Sequence, residues 1–184
     1  RVLILNTELP KAEYQNRTRL FMQKRNINGA SMYNLLIDHS MELKVDMPQG
    51  IAELMVACRE VQPDVLIIDC LYPIVSKDVV TPASASLVKD SFNLIRAAIN
   101  CGIVIDHHAR QPLWDSNTGG VVRLGASEML GSSIYRDWAD TILEVRKRSE
   151  YSDKLVISHQ KYRLMDFIPP RMEVFFDRNR LKFW

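Results

Sequence analysis

Apolar residues arrive in short bursts separated by longer amphipathic stretches. VLILN, residues 2–6, is an unbroken apolar run of the kind that forms a strand buried on both faces of a parallel sheet, and it stops at Thr7-Glu8-Leu9-Pro10. Residues 11–25 carry helical spacing and residues 30–37 fit a short edge strand. Pro48 followed by GIAELMVACREV predicts a helix that ends before Pro63. VLIID (65–69) and GIVID (102–106) read as two further buried strands, separated by the loop CLYPIVSKDVVTP and a helix over 83–100. A second long loop, ARQPLWDSNTGGVVRLG, leads to a helix over 126–138. TILEV, KLVIS and RMEVFFD then close the chain as three shorter strands, with the exposed turn KRSEYSD between the first two.

Strands that alternate with helices early and pair locally late imply an α/β fold. Its parallel sheet is central and flanked by helices, and antiparallel strands lie at the C-terminal edge. With 184 residues and no internal repeat or linker, one domain over 1–184 is expected. Arg1 leads at once into an apolar strand, so part of that domain is expected to lie upstream, leaving it N-terminally incomplete.

Composition narrows the options. With 47% hydrophobic residues, 25% charged residues and a net charge of +2, the chain is neither disordered nor broadly basic, so any nucleic-acid contact must be local. Cys58, Cys70 and Cys101 lack CxxC spacing and sit in or beside apolar runs, which points to reduced thiols and a cytoplasmic location. No apolar run approaches the roughly 18 residues that span a bilayer.

The candidate chemistry lies where strands end. In open parallel sheets, ligands bind outside the carboxyl ends of the strands, and here VLILN leads to Glu8, VLIID ends in Asp69, and GIVID leads to Asp106, His107 and His108. Each alone could simply solvate a strand end. Together they suit a nucleotide-hydrolysing site, with one acid holding Mg²⁺ through water, a second polarising the attacking water, and a neutral histidine touching the terminal phosphate.

On these motifs the chain resembles the RecA-type ATPase cores of hexameric helicases, above all the plasmid replicative helicase RepA group and, more distantly, the DnaB-type helicases. PDVLIID looks like the Walker B strand, which implies that Asp69 holds the magnesium-bound water. VLILNTE is similar to the strand carrying the catalytic glutamate, making Glu8 the candidate base, and DHHAR is similar to the third motif, making His107 the γ-phosphate sensor. LGSSIYRDWADTILEV is the most distinctive match, similar to the GSS-plus-ADxxL stretch of the RepA group. HQKYR resembles the KxR segment of DnaB-type helicases, which implies that Lys161 and Arg163 reach into a neighbouring subunit's nucleotide, where arginine stabilises charge on the transferred phosphoryl group. The resemblance thus implies ATP, Mg²⁺, a homo-oligomeric (hexameric) ring and single-stranded DNA as a partner. Asp106 and His108 are left with structural roles.

One departure matters. A Walker A loop, GxxxxGK followed by Ser or Thr, cradles the phosphates of RecA-type sites, and none of the seven glycines here is followed by lysine. Residues 1–184 alone are therefore expected to be inactive. Two other readings stay open. A DHH-type metal-dependent phosphodiesterase would use Asp106, His107 and Asp69 as metal ligands, but it needs an HxxxDxD-like cluster where VLILNTE supplies one carboxylate. A RecA-like fold kept for assembly or DNA loading is compatible with the missing loop. Lys77, Arg110 and Arg123 in the two long loops could contact phosphates of a bound strand or stand as solvated charges, and Tyr72 and Trp114 could stack on bases or pack. His39 and His159 read as packing or hydrogen-bonding residues.

Overall fold

The apolar bursts do become parallel strands. β1 (Val2–Asn6) lies between β2 (Leu35–Asp38) and β3 (Val65–Asp69), and β3 pairs in turn with β4 (Gly102–Ile105), giving the order β2-β1-β3-β4. The computed structural model describes residues 1–29, 34–39, 42–76, 81–108, 113–115, 120–122, 133–148, 152–163, 166–167 and 169–183, with backbone alone for 113–115 and 120–122. The register sets Leu3 beside Leu66 and Leu5 beside Ile68, with Ile103 and Ile105 next in the same rows. Neighbours in one row of a parallel sheet share a face, so these residues build a single apolar surface.

Two helices close that surface. α2 (Pro48–Val61) follows the proline at its first turn and turns Gly50, Leu54 and Cys58 inward, and α3 (Pro82–Ile99) buries Ala85, Val88, Phe92 and Ile95, all at three- and four-residue spacing. Thr81 caps α3 by accepting from the Ser84 amide. Gly50 is required by space, because a Cβ there would stand 2.1 Å from the Lys44 carbonyl oxygen.

The reverse face differs from the expectation of strands buried on both sides. Val2, Ile4, Val65 and Ile67 are only half-buried, and Val104 is 53% exposed. The helix that precedes β2, α1 (Lys11–Arg25), buries none of its residues because its sequence is polar all round.

The C-terminal strands also depart from the expected single sheet. β5 (Leu113–Asp115) and β6 (Gly120–Val122) form a hairpin inside the second long loop, too short to register as periodicity. After α4 (Ser133–Trp138), the strands β7 (Thr141–Lys147), β8 (Lys154–Tyr162), β9 (Met172–Asp177) and β10 (Lys182–Phe183) make an antiparallel sheet of their own in the order β10-β9-β8-β7. Among the described residues no ladder joins it to β4. Side-chain alternation predicts a strand and its two faces but not its partner, and that is where the expectation fails. Of the helix expected over 126–138, residues 126–132 lie outside the described residues, as do 30–33 of the expected edge strand.

α4 ties the second sheet to the first. Tyr135 is buried, Trp138 stacks on Phe92 with ring centroids 6.2 Å apart, and the Trp138 indole N–H donates to Asn93 Oδ1 at 3.0 Å. No described helix is long and apolar enough to cross a membrane.

Candidate functional site

The carboxyl ends of β1, β3 and β4 are cross-tied by backbone and side-chain hydrogen bonds. The Thr7 amide donates to the Asp69 carbonyl at 2.8 Å, Thr7 Oγ1 donates to the Cys70 carbonyl at 2.7 Å, and the Leu71 amide donates to the Asp106 carbonyl at 3.1 Å. Asn6 is fully buried and holds the turn after β1. Its amide group donates to the Leu9 carbonyl, its side-chain oxygen accepts from the Leu9 amide, and it lies 2.8 Å from His39 Nδ1. His39 is thus a hydrogen-bonding residue, with its ring edge-on to Tyr14.

These ties gather the acids. Asn6 pairs with Asp69, and Ile4, Ile67 and Val104 form one row on the face away from the α2 and α3 core, so the residues that continue that face are Glu8, Asp69, Asp106 and His108. Burial raises the Asp69 carboxyl above its ordinary value, and the neighbouring Asp106 and Glu8 carboxylates raise it further against the pull of Arg17. Tyr14 lies close enough to Asp69 to be raised by it in addition to its own burial. The first half of α1 therefore borders the acids, a proximity that sequence spacing does not show.

The histidine pair divides in an unexpected way. His107 Nδ1 lies 2.9 Å from the His108 carbonyl oxygen and donates to it, while the ring packs 5.8 Å from that of Tyr135. Burial holds this imidazole below its ordinary range, so at neutral pH its proton sits on Nδ1 and Nε2 is a bare acceptor. His108 instead meets the acids, with Nε2 at 3.7 Å from Glu8 Oε1 and 3.6 Å from Cys70 Sγ. The motif resemblance points to His107 as the sensor and leaves His108 structural; the structure brings His108, not His107, to Glu8. Cys70, which belongs to no motif in the sequence, joins them, and its buried thiol is pushed up to about 11 by desolvation and then by Glu8.

The remaining candidates lie elsewhere. Lys161 Nζ donates to the carbonyls of Arg136 and Asp137, both at 2.8 Å, and Arg163 pairs with Asp140 at 2.8 Å while donating to the Asp137 carbonyl. Within one chain these two cations hold the end of α4. The phosphodiesterase reading needs His107 and Asp69 on a common metal, which the packing of His107 against Tyr135 does not favour. Lys77, Arg110 and Arg123 lie outside the described residues, as does the Trp114 side chain, and Tyr72 is 58% exposed. A separate cationic recess of about 260 Å³ is lined by Lys24, Arg25, Asn26, Arg180 and Lys182, residues too far apart in sequence to be grouped by spacing.

The architecture is similar to that of two solved structures. The ATPase domain of a DnaB-family helicase superposes with a TM-score of 0.70 at 15% identity, over 99% of this chain and 73% of that one. The RadB recombinase superposes with a TM-score of 0.65 at 13% identity, over 98% of this chain and 77% of that one. The fold is therefore the RecA-like α/β fold of NTPases, with a parallel sheet and flanking helices. No protein-family model matches the sequence, and no curated protein does.

Proposed function

We propose that residues 1–184 form the core of a RecA-like ATPase in a helicase-type nucleic-acid motor, one that couples ATP hydrolysis at subunit interfaces to DNA translocation or remodelling. The observation that supports this most directly is the gathering of Glu8, Asp69 and Asp106 at the ends of three adjacent parallel strands, where the like charges raise the Asp69 carboxyl. Parallel strand ends in such a sheet are where nucleotides bind, and closely set carboxylates suit a divalent ion.

The donor set fits Mg²⁺, a hard cation that keeps much of its water and takes carboxylate oxygens. When bound, it would neutralise charge on the phosphates; Asp69 would hold its water shell and Glu8 would accept a proton from the attacking water. His108 stands beside Glu8 and takes the phosphate-sensing role in this reading, while His107 positions it through the carbonyl contact. The phosphate cradle does not fit within residues 1–184, since none of the seven glycines precedes a lysine, so these residues alone would not turn ATP over.

Lys161 and Arg163 would act across the interface of a homo-oligomeric ring, and for that they must leave the α4 carbonyls they hold within one chain. Lys77, Arg110 and Arg123 would contact single-stranded DNA. The test is Glu8→Gln in the full gene product: hydrolysis is lost while binding of a fluorescent ATP analogue is kept. Near-normal hydrolysis in this variant would refute the assignment. A wild-type protein that neither binds nor hydrolyses ATP would instead support a non-catalytic assembly or DNA-loading module.

A further inference from the structure

We propose that Glu8, Cys70 and His108 form a binding site for a single Zn²⁺-class ion, with three protein ligands and a fourth position open to solvent. The ligand atoms of the three residues all lie within 4.8 Å of one another. Two of the three separations are already near the required value. Cys70 Sγ is 3.6 Å and Glu8 Oε1 is 3.7 Å from His108 Nε2. A tetrahedral zinc with ordinary Zn–S, Zn–N and Zn–O bonds sets its ligand atoms roughly 3.3–3.6 Å apart. Closing the set requires mainly a rotation of Glu8, whose side chain is 49% exposed.

The direction of the contacts separates this from nucleophilic catalysis. A thiol, imidazole and carboxylate acting in relay would use the two ring nitrogens separately, one for the thiol and one for the carboxylate. Here the thiol and the carboxylate converge on the same nitrogen, Nε2, and a metal ion reconciles three donors aimed at one point. Thiolate and imidazole are also ligands that Mg²⁺ avoids and zinc prefers.

The scaffold is set before the metal arrives. The Cys70 carbonyl is fixed by Thr7 Oγ1, Cys70 is buried, and His108 follows the Asp106 whose backbone is tied to Ile68 and Leu71. Asp69 and Asp106 add negative charge nearby, which favours a divalent cation. Binding converts the Cys70 thiol to a zinc-bound thiolate and releases one proton to solvent, so affinity rises with pH while the thiol remains protonated in the free protein. Glu8 is also the proposed base, and an occupied zinc site and ATP hydrolysis would exclude each other.

The full gene product, stripped of metal, is titrated with Co²⁺ and with Zn²⁺ against a chromophoric chelator. One equivalent binds, and the cobalt form shows intense tetrahedral ligand-field bands and a thiolate-to-cobalt charge-transfer band. Cys70→Ser removes the charge-transfer band and weakens Zn²⁺ binding on the order of 100-fold or more, and His108→Asn weakens it comparably. Cys58→Ser and Cys101→Ser, at buried thiols away from the cluster, leave both unchanged. Cobalt that stays octahedral without a charge-transfer band overturns the proposal, and so does unchanged zinc affinity in Cys70→Ser. Should Cys70→Ser fail to fold, unchanged affinity in the exposed-site variant His108→Asn has the same force. The measurement needs no nucleotide turnover, so failure of the zinc site and failure of the ATPase reading are told apart.

Discussion

Gly50→Ala adds one methyl group at a place where only backbone can make room. The new Cβ would stand 2.1 Å from the Lys44 carbonyl oxygen, 2.6 Å from its carbon and 2.8 Å from its nitrogen. The segment it strikes is pinned on both sides. The Val45 amide donates to the Ile74 carbonyl at 2.8 Å, Ser91 Oγ donates to the Val45 carbonyl at 2.7 Å, and the Asp46 carboxylate accepts from the Ser76 amide and hydroxyl at 2.8 and 2.6 Å. Forced overpacking in a core costs about 1–3 kcal/mol, with pinned backbone at the upper end. Alanine returns at most about 1 kcal/mol of helix propensity, and less in the first turn. A net loss of about 2 kcal/mol follows, which for a domain of this size lowers Tm by roughly 4–8 °C. Thermal and urea unfolding followed by circular dichroism check it, with the urea midpoint falling at constant slope. Gly29→Ala is the control, since nothing lies within 4 Å of a Cβ there. Equal or greater stability of Gly50→Ala would show that residues 42–47 yield freely, and the account of α2 packing would fall.

Three further outcomes follow from the packing and the charges. Phe92→Ala removes a fully buried ring stacked on Trp138 and should cost about 3–5 kcal/mol in urea unfolding, with loss of near-ultraviolet dichroism from the indole; a cost under about 1 kcal/mol would contradict it. Asp69 has a raised carboxyl pKa in the folded state, so the folded protein holds this proton more tightly than the unfolded chain, and ionised Asp69 costs stability at neutral pH. Asp69→Asn should therefore raise Tm at pH 7, with the gain shrinking as pH falls towards about 4, the ordinary carboxylate range; a gain that grows on acidification would reverse the sign and refute the argument. Lys161→Met separates two roles: loss of the α4 tether lowers Tm, whereas a role across a subunit interface lowers ATP turnover in the full gene product at nearly constant Tm.

Much of the first half of the fold is legible in the sequence, because each element there states its own length and face. Pro48 and Pro82 mark helix starts, Thr81 supplies a cap, and the runs at 2–6, 65–69 and 102–105 are strands as spaced. The second half is less legible for a physical reason. β7 shows strict alternation, yet Leu143 and Val145 face solvent while Glu144 and Arg146 turn inward into a network with Ser158 and Gln160. Periodicity reveals that two faces exist; tertiary context decides which is covered. Cys70 is hidden because its significance depends on Glu8, 62 positions earlier, and His108, 38 positions later.

The division of the histidine pair is legible after all, through strand parity. From Gly102 to His108 exposure alternates without a break, with Ile103, Ile105 and His107 more buried and Val104, Asp106 and His108 exposed. A strand sends successive side chains to opposite faces, and the same parity runs one residue pair past the last ladder bond. Ile103 and Ile105 belong to the apolar face under α3, so the residue two further on, His107, must follow them inward and meet Tyr135. His108 shares parity with Val104, whose row contains Ile67 and Ile4, and two residues beyond these lie Asp69 and Asn6, the last before Glu8 turns out. Parity thus places His108 on the acids' side, where it meets both Glu8 and Cys70. Inserting one residue between Ile105 and Asp106 would exchange the two histidines. If His108 is the group that serves the acids, such an insertion alone should remove both the cobalt charge-transfer band and the phosphate response while leaving the sheet intact.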